Sequence, residues 1–101
     1  MSVRDDSLWA LAAENLSLSD KLPAVDLHGL AIYEAESILE SFLNEQFMSG
    51  EEAVKIISGI GTGKLAAAVE KILAEYKRHG LVEDYLRIKG GGVFIARLSS
   101  R

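Results

Sequence analysis

VKIISGIGTGKLAAAVEKIL, residues Val54–Leu73, holds three structural signals in a row. Ala53–Ile57 is a short apolar run rich in β-branched residues, which predicts a buried strand. Gly59, Gly61 and Gly63 then break the run. Leu65, Ala68, Val69, Ile72, Leu73 and Tyr76 recur at helical spacing, and His79-Gly80 closes that helix. Strand, glycine loop and helix in this order make an α/β unit whose loop opens a helix N-terminus. Free N–H groups and the helix dipole favour an anion there. Lys64 stands in the first helical turn, where a cation opposes the dipole unless it has an anion to meet.

The loop is not a nucleotide-binding loop of either common kind. A Walker A loop would need glycine where Ser58 stands and a hydroxyl residue where Leu65 stands. A dinucleotide fingerprint needs G-x-G-x-x-G, whereas the spacing here is G-x-G-x-G. What remains is a backbone cradle able to approach phosphate: Gly59, Gly61, Thr62, Gly63 and Lys64.

Outward from this unit, Val25-Asp26-Leu27-His28 alternates as a short strand closed by Gly29. Residues 33–48 carry Ala35, Ile38, Leu39, Phe42, Leu43 and Phe47 on one helical stripe, and Gly50 stops them. Val82–Lys89 and Val93–Leu98 read as strands joined through Gly90-Gly91-Gly92. The order is β-α-β-α-β-β. A right-handed crossover makes the first two strands parallel and puts both helices on one face. The expected fold is a two-layer α/β sandwich with a four-stranded mixed sheet. The loops after the first two strands, His28–Leu30 and Ser58–Gly63, then lie side by side at the edge where open α/β sheets bind ligands.

Residues 1–22 form an N-terminal arm, in which Asp5–Leu16 reads as a short helix carrying Trp9. Pro23 marks the start of the compact domain, residues 23–101. The arm either folds back on the domain or docks on a partner. With 101 residues there is room for one domain. Cysteine is absent, which removes thiolate chemistry and disulfides and suits a cytoplasmic setting. The start lacks a signal-peptide pattern, and no apolar run nears the ~20 residues of a membrane span. The net charge of −4 is uneven. Residues 1–54 carry 2 basic and 11 acidic side chains, and residues 55–101 carry 9 and 4. An acidic chain can thus present a basic face. Arg87, Lys89 and Arg97 lie on the last two strands and suit a phosphate backbone. Tyr33 and Tyr85 are candidates for stacking on bases, whereas Phe94 is expected in the core. His79 reads as a helix-end residue favoured by the dipole.

Asp26 and His28 stand two apart, so a strand presents them on one side. An aspartate there can orient the histidine or share a metal with it. The alternative is a strand-end pair that satisfies nearby backbone groups.

Three stretches, VDLHGLAIYEAESIL, VKIISGIGTGKLAAAVEKIL and YLRIKGGGVFIARL, resemble the Smr (small MutS-related) domain in order and spacing, over Val25 to Leu98. The family's Leu-Asp-Leu-His-Gly is Val25–Gly29 here. Its His-Gly-x-Gly-x-Gly is Ser58–Gly63, and its glycine-rich turn is Gly90–Gly92. The resemblance implies a fold similar to the C-terminal domain of bacterial translation initiation factor three. It also implies binding of DNA or RNA and, in many members, endonuclease activity. Some members act on messenger RNA at ribosomes. Asp26 and His28 would be the catalytic residues, with or without a divalent metal, Mg or Mn. Two departures bear on this. Ser58 replaces the second-motif histidine, and Ile60 replaces a basic residue common in that loop. Serine does not titrate near neutrality, so a proton-transfer or metal-ligand role at position 58 is lost. A non-catalytic nucleic-acid or ribosome-associated module is therefore the alternative. A protein-interaction domain using the acidic first half and the arm is the second.

Overall fold

The computed structural model describes residues 6–88 and 90–100, with the backbone alone at Asp6 and Ser7. Its elements are α1 (Asp6–Ser17), β1 (Ala24–Asp26), α2 (Ile32–Met48), β2 (Ala53–Ile57), α3 (Lys64–Arg78), β3 (Val82–Arg87) and β4 (Val93–Leu98). The sheet order is β1-β2-β4-β3. β1 runs parallel to β2, while β4 is antiparallel to β2 and to β3. This is the expected four-stranded mixed sheet.

Strand alternation divides the sheet side chains between two faces. Val54 and Ile56 of β2, with Phe94, Ala96 and Leu98 of β4 and Val82 of β3, share a buried core with Leu39 and Leu43 of α2 and Val69, Ile72 and Leu73 of α3. Phe94 is fully buried, as its type predicts. Ile38, placed on the apolar stripe of α2 by spacing, is exposed.

The opposite face carries Lys55, Ile95 and Arg97, and α1 packs on it. Ala13 and Ile95 are fully buried. The Arg97 guanidinium lies 4.8 Å from the centre of the Trp9 ring. Lys55 Nζ donates to the carbonyls of Ser17 at 2.9 Å and Ser19 at 3.3 Å, capping the negative end of α1. The arm helix therefore adds a third layer to the two expected. A bulge in β3 at Glu83 brings that carboxylate 3.1 Å from Arg97 Nη2.

These contacts correct the expected basic patch. Arg97 is held between Trp9 and Glu83 on the arm side of the sheet, away from the glycine turn. Lys55 is tied to α1, and Lys77 Nζ to Asp84 at 3.3 Å. Lys89 lies outside the described residues.

Lys55→Met tests the arm. A charged hydrogen bond of this kind contributes about 1.5–3 kcal/mol. Each kcal/mol moves the Tm of a domain this size by about 4–8 °C. We expect a lower Tm together with greater acrylamide quenching of Trp9. Unchanged quenching would mean that the arm does not depend on this anchor.

Candidate nucleic-acid interface

Asp26 ends β1 by its own side chain. Its Oδ1 accepts the backbone N–H of His28 at 3.1 Å, an Asx turn that bends the chain out of the strand. The strand thus stops at Asp26 rather than at His28, although the Leu27 N–H still reaches the Ile57 carbonyl at 2.7 Å. The same Oδ1 lies 2.6 Å from His28 Nδ1. The side-chain bond to His28, followed by the backbone one, holds the Asp26 carboxyl below its ordinary range. An ionised carboxylate only accepts hydrogen bonds, so the geometry assigns a ring hydrogen to Nδ1, and in the neutral ring the lone pair is then on Nε2. Both side chains are solvent-exposed.

The glycine loop is clamped beside this pair. The N–H groups of Ser58 and Gly59 both donate to the Gly92 carbonyl, at 2.9 and 3.1 Å. The loop after β2 and the turn between β3 and β4 are thereby joined. Gly59 has φ +76°, and a Cβ built on it would stand 2.8 Å from His28 Cβ. Only glycine lets the loop approach the histidine this closely. Gly63, at φ +89°, is the N-cap of α3. The first turn of α3 has no acidic residue.

His28, the loop Ser58–Gly63, Leu65 and Ala66 of α3, and Arg87, Gly90 and Gly91 line one cleft of about 410 Å³. Pockets of roughly 300–1,000 Å³ are typical of small-ligand sites. Arg87 Nε donates to the Gly91 carbonyl at 2.9 Å, which folds the guanidinium over the glycine turn. The structure thus gathers His28, Gly59, Gly61, Thr62, Gly63, Arg87, Gly90 and Gly91 in one cleft. Asp26 supports it from behind His28. Gly92 backs the loop rather than lining the cleft. Lys64 is exposed at the start of α3, outside the lining. Tyr33 is 74% exposed, whereas Tyr85 packs against the core.

Sequence reasoning placed the loops that hold Leu30 and Ile60 at this edge but missed the apolar character of the lining. Leu30, Ile32, Ile60 and Leu65 all face this space. Ile32 could have been found, since it continues the Ala35–Leu39 spacing by one turn toward the N-terminus. Ile60, which removes a positive charge from the loop, is 86% exposed.

Ser58 is 4% exposed, with its hydroxyl turned toward the carbonyls of Gly59 and Gly92, each 3.4 Å away. It is a loop-packing residue. Among the described residues no group of three or more histidines and carboxylates could hold a metal. With Oδ1 and Nδ1 engaged with each other, Asp26 and His28 would offer one carboxylate oxygen and Nε2, which falls short of the oxygen-rich octahedral set that a resident Mg or Mn ion takes. No helix among the described residues is long and apolar enough to cross a membrane.

The Smr domain family model matches residues 25–98. Endonuclease MutS2 of Aquifex aeolicus is 34% identical over 80 residues, which is 78% of this chain and 10% of that protein. The chain therefore spans about a tenth of that relative's length. The crystal structure of the Smr domain of Thermus thermophilus MutS2 superposes with a TM-score of 0.67 at 31% identity, covering 76% of this chain and 98% of that one. The solution structure of the Smr domain of NEDD4-binding protein 2 gives 0.57 at 25% identity, covering 82% and 92%. With its three motifs folded into one cleft and a family match across the whole sheet and both core helices, this chain belongs to the Smr domain family.

Proposed function

We propose that this domain binds nucleic acid in the cleft and cleaves a phosphodiester bond there, with His28 as general base and Asp26 as its positioning residue. The 2.6 Å contact between Asp26 Oδ1 and His28 Nδ1 carries the reading, because in the neutral ring it keeps the hydrogen on Nδ1 and leaves Nε2 to accept a proton, on a residue that lines the cleft. Nε2 takes a proton from the attacking oxygen, a water or the 2′-hydroxyl of RNA. That oxygen bonds to phosphorus as the bond from phosphorus to the leaving nucleoside oxygen breaks on the opposite side; the leaving oxygen takes its proton from water, and the imidazolium gives its proton to solvent. The N-terminus of α3 and Arg87 face the charge that develops on the phosphate oxygens. MutS2 of Aquifex aeolicus bears the name endonuclease, in line with this chemistry.

A second reading rests on Ser58. Its buried hydroxyl gives the cleft no second titrating group, and that favours a module which binds without cutting. The test is incubation of the chain with single-stranded RNA, duplex RNA and plasmid DNA, with and without Mg or Mn. Shorter products support cleavage. Retained binding with intact strands supports the second reading, and absence of binding leaves a protein-interaction domain.

Phosphate contacts are tested by salt. Each one released lowers the slope of log K against log salt by about 0.7–0.9. Arg87→Ala and Lys64→Ala are each expected to lower affinity alike for all sequences and to reduce the slope by about one. A Lys64→Ala slope equal to wild type would put Lys64 outside the bound strand.

A further inference from the structure

We infer that the cleft selects an unpaired nucleotide, and that Ile60 is the residue that enforces this by packing against its base. The inference rests on the nucleic-acid reading above and names the form of substrate that this site takes. Ile60 stands at the tip of the glycine loop, in the lining of the cleft, and is 86% exposed. An isoleucine this exposed beside a candidate phosphate site contributes nothing to the core. Nor is it a loose side chain on a loose loop. Its Cγ1 lies against Gly92, where a built Cβ would come within 3.3 Å, and the loop itself is bonded to the Gly92 carbonyl through Ser58 and Gly59.

The remaining walls have the same character. Leu30, Ile32 and Leu65 line the cleft around His28, and Ile32 is itself 37% exposed. Among the described lining residues Arg87 is the one permanent cation. A duplex offers such a surface phosphates and base edges, because its base faces are stacked away. Apolar side chains make no hydrogen bond to phosphate, and a phosphate pressed against them loses hydration at a cost. An unpaired nucleotide offers a flat base face that apolar and aromatic side chains can cover, with its phosphate left for the loop amides and Arg87. One cleft with an apolar rim, a single guanidinium and a histidine therefore suits one splayed nucleotide better than a continuous duplex backbone.

The test is equilibrium anisotropy of the full chain with a short dye-labelled 2′-O-methyl RNA, single-stranded or annealed to its complement, for wild type, Ile60→Ser and Ile60→Lys. Thermal melts accompany each variant, and position 60 is exposed enough that the melts should match. Wild type should favour the single strand. Ile60→Ser should weaken single-strand binding about five- to tenfold, the scale of an apolar side chain covered on one side, with the duplex affinity and salt slope unchanged. Ile60→Lys should raise duplex affinity, steepen the salt slope by about one and abolish the preference. A 2-aminopurine placed in the strand should change its emission on binding wild type and not on binding Ile60→Ser. Equal affinity of wild type for both forms overturns the inference and leaves nucleic-acid binding standing. So does an Ile60→Ser variant that binds as wild type or loses both forms equally. No binding of either form by wild type overturns the nucleic-acid reading itself, and this inference with it.

Discussion

His28→Ala is expected to lower the proposed cleavage by about 10²–10⁴-fold, the usual contribution of one positioned acid-base group, without loss of the proposed nucleic-acid binding. The ring is exposed and its one described side-chain partner is Asp26, so its removal should leave the fold intact. Asp26→Asn makes the sharper comparison. Both His28 contacts fall on Oδ1, so an asparagine oxygen there still accepts the backbone N–H and the Nδ1–H, but as a neutral and weaker acceptor. The turn is kept while the imidazolium loses its charged partner, so the rate is expected to fall with the fold unchanged. The carboxyl of Asp26 is held below its ordinary range by its bonds to His28, so the pair forms above that range and is lost as pH falls through the lowered value. Its small stabilising effect follows the same sign. It is present at neutral pH and disappears only in strong acid. Ser58→His restores the residue of the family motif at a position that borders the same cleft, and it is expected to raise the rate. Wild type that binds but never cuts, beside Ser58→His that cuts, would mark a site that has lost its chemistry. His28→Ala that cuts as well as wild type would remove His28 from the mechanism.

How far the sequence carried these assignments depends on whether the deciding force was local. The core strands and helices were legible because the short apolar runs at 53–57 and 93–98 and the helical stripe in 65–76 report directly on burial. The adjacency of His28 and the glycine loop followed from parallel pairing of β1 and β2. Features set by side-chain contacts were not legible. The end of β1 depends on a carboxylate that folds back on its own chain. Arg97 left the expected basic patch because a bulge at Glu83 and the ring of Trp9 claim it from the other side of the sheet. The apolar half of the cleft comes from three separate segments: Leu30 with Ile32, Ile60, and Leu65. No one of these segments signals an apolar wall until the fold brings them together.

Gly59→Ala should cost more stability than alanine at Gly61 or Gly63, and the three together separate two effects. Gly61 has ordinary φ and open space around a built Cβ, so alanine there is expected within about 0.5 kcal/mol of wild type. Gly63 also has open space, but its φ is +89°, so alanine pays only for left-handed backbone, about 1–2 kcal/mol. Gly59 combines φ +76° with a Cβ that would lie 2.8 Å from His28 Cβ. Both atoms are fixed by their backbones, so no rotation of a side chain relieves the contact. The loop cannot retreat freely, because Ser58 and Gly59 are both bonded to the Gly92 carbonyl. The displacement must fall on those bonds or on the turn that presents His28. We therefore expect Tm to fall in the order Gly61→Ala, Gly63→Ala, Gly59→Ala, at about 4–8 °C for each kcal/mol. Cleavage by folded Gly59→Ala should fall further than its binding does, because the contact moves the histidine and not the phosphate cradle alone. If Gly59→Ala melts and cuts like Gly61→Ala, the loop does not rest on His28, and the site must be built another way.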